Sequence, residues 1–268
     1  MTDQSIDAGA ELDVNESDDG LVIRVRIDRP EERNALNEAV IEGLLDVLAV
    51  ADDGPSRVVV IRGVGGTFCS GGDLESMASS LGQGPQAYRE GFSGLSKLME
   101  RMVETSALLV AAVEGYCLAG GMGLAAACDV IVATEDATFG TPEVDVGLFP
   151  AQALVPIMRT VTEKRGLKFL FTGEQFDAAE AHEIGFTTDV VPTESFETEL
   201  DDLVADLASS SPVMIAMGKR AYYTQRDMSF GEALSYMREM IALIAMSEDT
   251  EKGINAFLMD EQPEWSGR

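Results

Sequence analysis

The chain has 268 residues, 46% hydrophobic and 25% charged, a composition typical of a globular protein. Its 47 Asp and Glu outnumber its 19 Lys and Arg, so the formal net charge is −28. A field this negative repels nucleic acid and anionic membrane surfaces and argues against both as partners. Because the acidic residues are spread along the chain, we interpret the surface as suited to high salt, as in halophiles. A generally acidic mesophilic protein is the alternative.

The cysteines and the first residues bear on the cellular compartment. The chain has three cysteines, at positions 69, 117 and 128, and no two of them form a C-x-x-C pair. This odd number and spacing argue against a disulfide framework or a metal site, and they favour a reducing cytoplasm. Residues 1–20 hold seven acidic and no basic residues, which predicts a disordered acidic leader rather than a signal peptide. No apolar stretch reaches the length of a membrane span.

Strand and helix patterns alternate along the next part of the chain. Residues 21–27 predict a strand, Asn37 is placed to cap a helix over 39–50, and residues 57–62 predict a fully apolar, buried strand. A helix over 86–104 and buried strands over 108–113 and 129–133 follow, and residues beyond 150 are mostly helical. This order predicts an α/β fold with largely parallel pairing. We expect a core over 21–205 and a C-terminal helical region over 206–268.

Two glycine-rich turns each follow a buried strand and precede a helix. One contains FCSGGDL around Gly71 and Gly72, and the other contains LAGGMG around Gly120 and Gly121. Glycine allows a ligand to approach the backbone closely, so such turns suit a developing oxyanion. A tight strand-to-helix connection without a ligand is the alternative for either turn. Neither turn matches a phosphate-binding or dinucleotide-binding glycine pattern.

Taken together, several segments resemble the enoyl-CoA hydratase/isomerase family, the crotonase superfamily. They are RPEERNALN (29–37), GTFCSGGDL (66–74), AAVEGYCLAGGMGLAAACDVIVA (111–133), ATFGTPEVDVGLFP (137–150) and FTGEQFDAAEAHEIGF (171–186). The resemblance implies a crotonase-like spiral of repeated ββα units with a C-terminal helical region that builds a homotrimer or a dimer of trimers. It implies an acyl-CoA substrate and no metal, nicotinamide or flavin, with CoA arriving as part of the substrate.

The resemblance also implies site residues. Two backbone N–H groups, at Ser70 and Gly120, would form the oxyanion hole, with Asp73 supporting the loop. The arginines Arg29 and Arg33 are candidates for the CoA phosphates, although two surface arginines of an acidic protein are an equally good interpretation. Further acyl-CoA contacts are expected along the two turns and the segment before them, at Ala35, Gly71, Gly72, Asp73, Leu74 and Gly121.

One of the family's two catalytic glutamates is missing. Glu143 matches the acid/base that serves the α-carbon, whereas Gly123 stands where hydratases carry the glutamate that activates water. A single glutamate can still move a proton between two carbons, so the sequence favours an enoyl-CoA double-bond isomerase. A 2-enoyl-CoA hydratase of fatty-acid or amino-acid breakdown, a catalytically weak CoA-ester-binding paralogue, and thioester hydrolysis or decarboxylation remain open. For Glu143 itself, the alternative is a charge at a helix start after Thr141-Pro142.

Overall fold

The computed structural model describes residues 6, 8–79 and 82–268, which form two sheets and eleven α-helices. The larger sheet has the spatial order β1-β2-β3-β4-β6-β9 and is parallel except for the β1–β2 pair. Its strands are β1 (Leu12–Glu16), β2 (Val22–Ile27), β3 (Val58–Gly63), β4 (Leu108–Val113), β6 (Val130–Thr134) and β9 (Asp189–Val191). The smaller sheet has the order β5-β7-β8, with strands β5 (Tyr116–Leu118), β7 (Thr138–Gly140) and β8 (Gln175–Asp177).

The helices fall into a group within the spiral and a group at the C-terminal end. The first group is α1 (Glu38–Asp53), α2 (Leu74–Ser79), α3 (Pro85–Glu104), α4 (Gly120–Ala126), α5 (Leu154–Ile157), α6 (Glu163–Thr172), α7 (Ala178–Glu183) and α8 (Phe196–Ala208). The second group is α9 (Pro212–Gln225), α10 (Phe230–Ala245) and α11 (Glu248–Met259).

Each turn of the spiral contributes one strand to the larger sheet, a short extended segment beside it, and then a helix. The clearest turn is β4, β5 and α4, and β6 followed by β7 begins the next. The predicted α/β fold with repeated ββα units and C-terminal helices is therefore confirmed.

Both faces of the larger sheet are buried, which explains its uniformly apolar strands. On one face Ile23, Val59 and Leu109 pack with the inner stripe of α1 and with buried residues of α3. On the other face Val60 and Val110 pack against α8. Asn37 caps α1 as predicted, because its side chain accepts a hydrogen bond of 2.9 Å from the Val40 N–H.

The predicted disordered leader over residues 1–20 is wrong for residues 12–16. These residues form β1, which pairs antiparallel with β2 along its whole length. Leu12 is buried, and it lies opposite Ile27 at the edge of the core. Residues 1–5 and 7 lie outside the described residues. The acidic composition was a poor guide here, because an edge strand needs only one apolar face.

The C-terminal helices are tied to the spiral by a buried ion pair. The Lys219 ammonium on α9 donates to the Asp129 carboxylate at 2.6 Å, and the Tyr223 hydroxyl donates to the other oxygen of Asp129 at 3.0 Å. Beyond this anchor, α10 and α11 expose large apolar side chains, with Phe230, Met246 and Phe257 each more than 80% exposed. Within the described residues, no helix is both long and apolar enough to cross a membrane.

Candidate active site

Three neighbouring extended segments bring the predicted site residues to one edge. Cys69 pairs in parallel with Cys117, and Cys117 pairs in parallel with Phe139. Parallel segments end at the same edge of a sheet, so the residues that follow them lie close together. Gly72, Gly120 and Glu143 come three, three and four residues after the paired positions Cys69, Cys117 and Phe139. The fold therefore gathers both glycine turns and the acid from three separate parts of the chain.

The backbone nitrogens of Gly72 and Gly120 lie where the two glycine turns come close together. A Cβ atom placed on Gly120 would lie 3.4 Å from the Gly72 nitrogen, and one placed on Gly71 would lie 3.1 Å from the Gly120 nitrogen. Among the described residues, neither of the two amides has a hydrogen-bond acceptor. Two free N–H groups this close are suited to bind a single oxyanion.

The prediction that the Ser70 backbone N–H is a donor of the oxyanion hole is wrong. Its backbone N–H already donates to the Arg33 carbonyl oxygen at 3.0 Å, which removes it as a donor to a ligand. Gly72, expected only as a contact residue, has the available amide instead. Its neighbours hold the peptide in this orientation, because the Leu36 N–H donates to the Gly71 carbonyl at 2.7 Å and the Asp73 N–H donates to the Leu36 carbonyl at 3.1 Å.

A strained backbone supports the second turn. Ala119 has φ 54° and ψ −128°, a conformation that L-residues rarely adopt and that costs about 1–3 kcal/mol. The Ala119 N–H donates to the Gly140 carbonyl at 2.8 Å, and the Ala119 carbonyl accepts from the Met122 and Gly123 N–H groups. These bonds hold the bend from which the Gly120 amide emerges. The conformation could not be foreseen, because alanine gives no local signal for positive φ.

Gly121 has no room for a side chain. A Cβ atom there would lie 2.4 Å from the Cys69 carbonyl oxygen and 2.8 Å from the Cys69 sulfur. The close approach of the two turns therefore requires glycine at this position. Packing of the two turns is sufficient to explain glycine at position 121. The predicted contact of Gly121 with the substrate stays a prediction.

Glu143 lies in the 3-10 helix Pro142–Val146 and carries a buried, unpaired carboxyl oxygen. Its Oε2 atom has no hydrogen-bond partner among the described residues. Burial raises the pKa of the Glu143 carboxyl, because the charged form loses hydration. A raised pKa makes the carboxylate a stronger base, which suits a group that must take and return a proton. The residue does begin a short helix after Pro142, but a charge at a helix start would be solvated or paired.

The position of the missing glutamate is closed by apolar atoms. A Cβ atom on Gly123 would lie 2.7 Å from the Ala153 Cβ, and 2.8 Å from both the Ala153 Cα and the Met99 Cε. Met99 and Ala153 are themselves buried. The chain therefore lacks both the carboxylate and the space that a side chain at this position would need.

The Arg29 side chain binds groups of the protein itself. Its guanidinium donates to the Ala35 carbonyl at 2.6 Å and to the Asp73 carboxylate at 3.0 Å, and it lies 3.3 Å from Glu11. Asp73 in turn accepts from the Glu75 N–H at 3.0 Å, at the start of α2. Asp73 therefore supports the Gly72 turn, as expected for its loop.

The remaining predicted contact residues differ in exposure. Arg33 is exposed, while Leu74 is 60% exposed beside the Gly72 turn. Ala35 is buried. Contacts of these residues with an acyl-CoA molecule stay predictions. Among the described residues, no group of three or more His, Cys, Asp or Glu is arranged to hold a metal ion.

Two free backbone amides close together, with a desolvated carboxyl on the next parallel segment, are groups that an enzyme stabilising an oxyanion would use. The family model described as enoyl-CoA hydratase/isomerase matches residues 17–268. The chain therefore belongs to the enoyl-CoA hydratase/isomerase family, the crotonase superfamily, and is an enzyme of the hydratase/isomerase type.

Individual relatives agree over most of the chain. Human enoyl-CoA hydratase domain-containing protein 3, mitochondrial, is 34% identical over 241 residues, which cover 90% of this chain and 79% of the relative. The 2,3-dehydroadipyl-CoA hydratase of Escherichia coli strain K12 is 33% identical over 250 residues, or 92% and 96% of the two chains. A crystal structure of the human protein superposes with a TM-score of 0.90 at 31% identity and covers 95% of this chain and 100% of the other.

Proposed function

We propose that the protein moves the double bond of an enoyl-CoA from the 3-position to the 2-position, with Glu143 as its single acid/base. The observation that carries this proposal is the combination of a desolvated Glu143 carboxyl with a Gly123 site closed by Ala153 and Met99. Acyl-CoA would be the substrate, and CoA would enter as part of it rather than as a separate cofactor.

The reaction needs two proton transfers. The Glu143 carboxylate removes a proton from C2 of the 3-enoyl thioester, and the C–H electron pair forms a dienolate with its negative charge on the thioester oxygen. The Gly72 and Gly120 N–H groups would donate to that oxygen. Glu143 then returns the proton to C4, the thioester carbonyl reforms, and the double bond is left between C2 and C3. Loss of one donor from such a pair costs about 3–4 kcal/mol of transition-state stabilisation.

Hydration makes a further demand that this site does not meet. Adding water across a 2-enoyl thioester requires a water molecule held and deprotonated beside C3, usually by a positioned base. The three heavy atoms nearest to a Cβ atom built on Gly123 are the methyl carbon of Met99 and the Cβ and Cα of Ala153, none of which can orient or deprotonate water. We therefore favour isomerisation over hydration.

Hydratase activity is the second candidate, because the relatives bear that name. The Escherichia coli relative is a 2,3-dehydroadipyl-CoA hydratase, and it is similar along 92% of this chain. For that reaction to occur here, a group other than residue 123 would have to activate the water. Asp73, the nearest acid to the Gly72 turn in sequence, is bound to Arg29 and to backbone amides.

The test compares two substrates and three proteins in about 2 M KCl, where the Debye length is below about 3 Å. The substrates are 3-enoyl-CoA and 2-enoyl-CoA esters of several chain lengths. The proteins are the wild type, Glu143→Gln and Asp145→Asn, the last being a matched control because Asp145 is exposed on the same 3-10 helix.

We expect isomerisation by the wild type and by Asp145→Asn, and a loss of about 10²–10⁴-fold in kcat for Glu143→Gln. Water addition to the 2-enoyl ester at a comparable rate would instead establish the hydratase. Binding of the esters without turnover of either would identify a catalytically weak CoA-ester-binding paralogue.

We also propose that the protein is a homotrimer or a dimer of trimers. The exposed apolar side chains of Phe230 on α10, Phe257 on α11 and Met246 between the two helices support association, because monomeric proteins rarely expose large contiguous apolar patches. Light scattering during gel filtration should give a mass three or six times the 28.7 kDa of the chain. A monomeric mass at micromolar concentration would contradict this.

A further inference from the structure

The thiol of Cys69 lies at the point where the two glycine turns touch. Cys69 is fully buried, and its sulfur accepts a hydrogen bond from the Gly71 N–H at 3.4 Å. The same sulfur lies 2.8 Å from the place that a Cβ atom on Gly121 would occupy. The side chain therefore contacts the Gly72 turn through a hydrogen bond and the Gly120 turn through packing.

The three successive backbone amides of the first turn differ in their hydrogen-bond acceptors. The Ser70 N–H donates to the Arg33 carbonyl, and the Gly71 N–H donates to the Cys69 sulfur. The Gly72 N–H is the one without an acceptor among the described residues. Gly71 has φ 111°, a region open mainly to glycine. Its carbonyl is held by the Leu36 N–H, and the Cys69 sulfur holds its N–H, so the sulfur is the second of two hydrogen bonds that orient this residue.

We propose that Cys69 is a positioning residue, whose sulfur fixes the Gly71 amide and thereby directs the adjacent Gly72 N–H toward the thioester oxygen. This inference rests on the proposed function, in which the Gly72 and Gly120 amides hold an oxyanion. The thiol acts through the backbone and does not touch the substrate.

Burial raises the pKa of the Cys69 thiol to about 12, so the group stays protonated at neutral pH. Cys69 therefore does not act as a thiolate nucleophile. A neutral sulfur remains a weak hydrogen-bond acceptor, which is all that the positioning role requires.

Cys117 offers a matched control. It is the register partner of Cys69 on the adjacent segment and is equally buried, but its thiol has no hydrogen-bond partner within the described part of the chain. Removing either sulfur creates a similar small cavity, so a purely structural role predicts similar effects for both. A positioning role predicts an effect on oxyanion binding for Cys69 alone.

The experiment uses the full-length protein with two probes. Acetoacetyl-CoA loses its α-proton readily, and its enolate is followed by near-ultraviolet absorbance, so a pH titration reports enolate stabilisation in the site. Butyryl-CoA cannot form an enolate under these conditions and reports ground-state binding by calorimetry. The variants are Cys69→Ala, Cys69→Val, Cys69→Ser and Cys117→Ala. Valine fills the space of the sulfur with a slightly larger apolar group that has no acceptor, and serine preserves an acceptor.

We expect Cys69→Ala and Cys69→Val to weaken enolate binding about tenfold, a fraction of the 10²–10³-fold that follows removal of a whole donor. Butyryl-CoA affinity should change less than twofold, Cys69→Ser should recover most of the enolate binding, and Cys117→Ala should match the wild type. If the alanine variant does not fold, the valine variant carries the same test.

Two results would overturn the inference in distinguishable ways. Enolate binding that is as strong in Cys69→Ala and Cys69→Val as in Cys117→Ala would refute the role of Cys69 and leave the proposed function intact. A wild type that binds butyryl-CoA but does not favour the acetoacetyl-CoA enolate over the free compound would refute the oxyanion site, and the role of Cys69 would fall with it.

Discussion

Restoring the glutamate of the hydratases at position 123 should not restore hydration. Even the first side-chain atom of Gly123→Glu would lie 2.7–2.8 Å from three carbon atoms of Ala153 and Met99. Carbon atoms in contact prefer a separation of about 3.5–4.0 Å, so the neighbours must move by about 1 Å. Met99 has a flexible end, but the Ala153 Cα belongs to the backbone, and the whole of α4 is buried.

The size of the effect follows from this crowding. Overpacking of a dense core costs about 1–3 kcal/mol, and a buried, unpaired carboxylate adds to that cost. For a chain of this size we expect the unfolding temperature to fall by about 2 °C for each kcal/mol.

The assay is thermal unfolding by circular dichroism together with hydration of a 2-enoyl-CoA ester, for Gly123→Glu and for Gly123→Ala. The alanine variant separates crowding from charge, because it adds the clashing atom alone. Both should be less stable than the wild type, and neither should hydrate faster. A Gly123→Glu protein of wild-type stability that gained hydration by about 10²-fold or more, the scale of a positioned general base, would refute the reasoning.

Three further outcomes follow from burial and charge. The raised pKa of Glu143 means that the folded chain binds this proton more tightly than the unfolded chain, so stability falls as pH rises through the window above the unfolded value. Glu143→Gln should therefore unfold at the same temperature as the wild type near pH 4 and at a higher temperature at pH 7; an unchanged difference would contradict this. Arg29→Lys should cost about 1–3 kcal/mol by chemical denaturation, because an ammonium cannot span Ala35 and Asp73 as the guanidinium does, whereas the exposed Arg33→Lys should be neutral. With a net charge of −28, the unfolding temperature should rise between about 0.1 and 2 M KCl as the Debye length shrinks from about 10 Å, and a flat profile would contradict a surface suited to salt.

Elements with a strong periodic signal were predictable, and short elements that depend on distant partners were not. The helix capped by Asn37 and the apolar strand β4 carry their own signals. By contrast β5 and β7 have three residues each, and they exist only because they pair with one another and with the segment at Cys69. Strand β1 was missed because its composition is acidic and only one of its faces is apolar.

The site was predictable in its residue types but not in its peptide directions. The glycine turns and Glu143 stand out in the sequence, and the fold packs the two turns against each other and places the segment before Glu143 beside them. Which amide of the first turn is free depends on the Arg33 carbonyl, which lies 37 residues before Ser70. The sequence likewise shows that Arg29 is charged, but it does not show that its guanidinium donates hydrogen bonds to Asp73 and to the Ala35 carbonyl.

The central claim is that the Gly72 and Gly120 amides together hold the thioester oxygen beside Glu143. A crystal structure of Glu143→Gln with a bound 3-enoyl-CoA tests it most directly, since this variant should bind the substrate without turning it over. We predict that the thioester oxygen lies within about 3.2 Å of both amide nitrogens, with C2 and C4 facing residue 143. An oxygen held by a side chain or by water, with either amide turned away, would contradict the account.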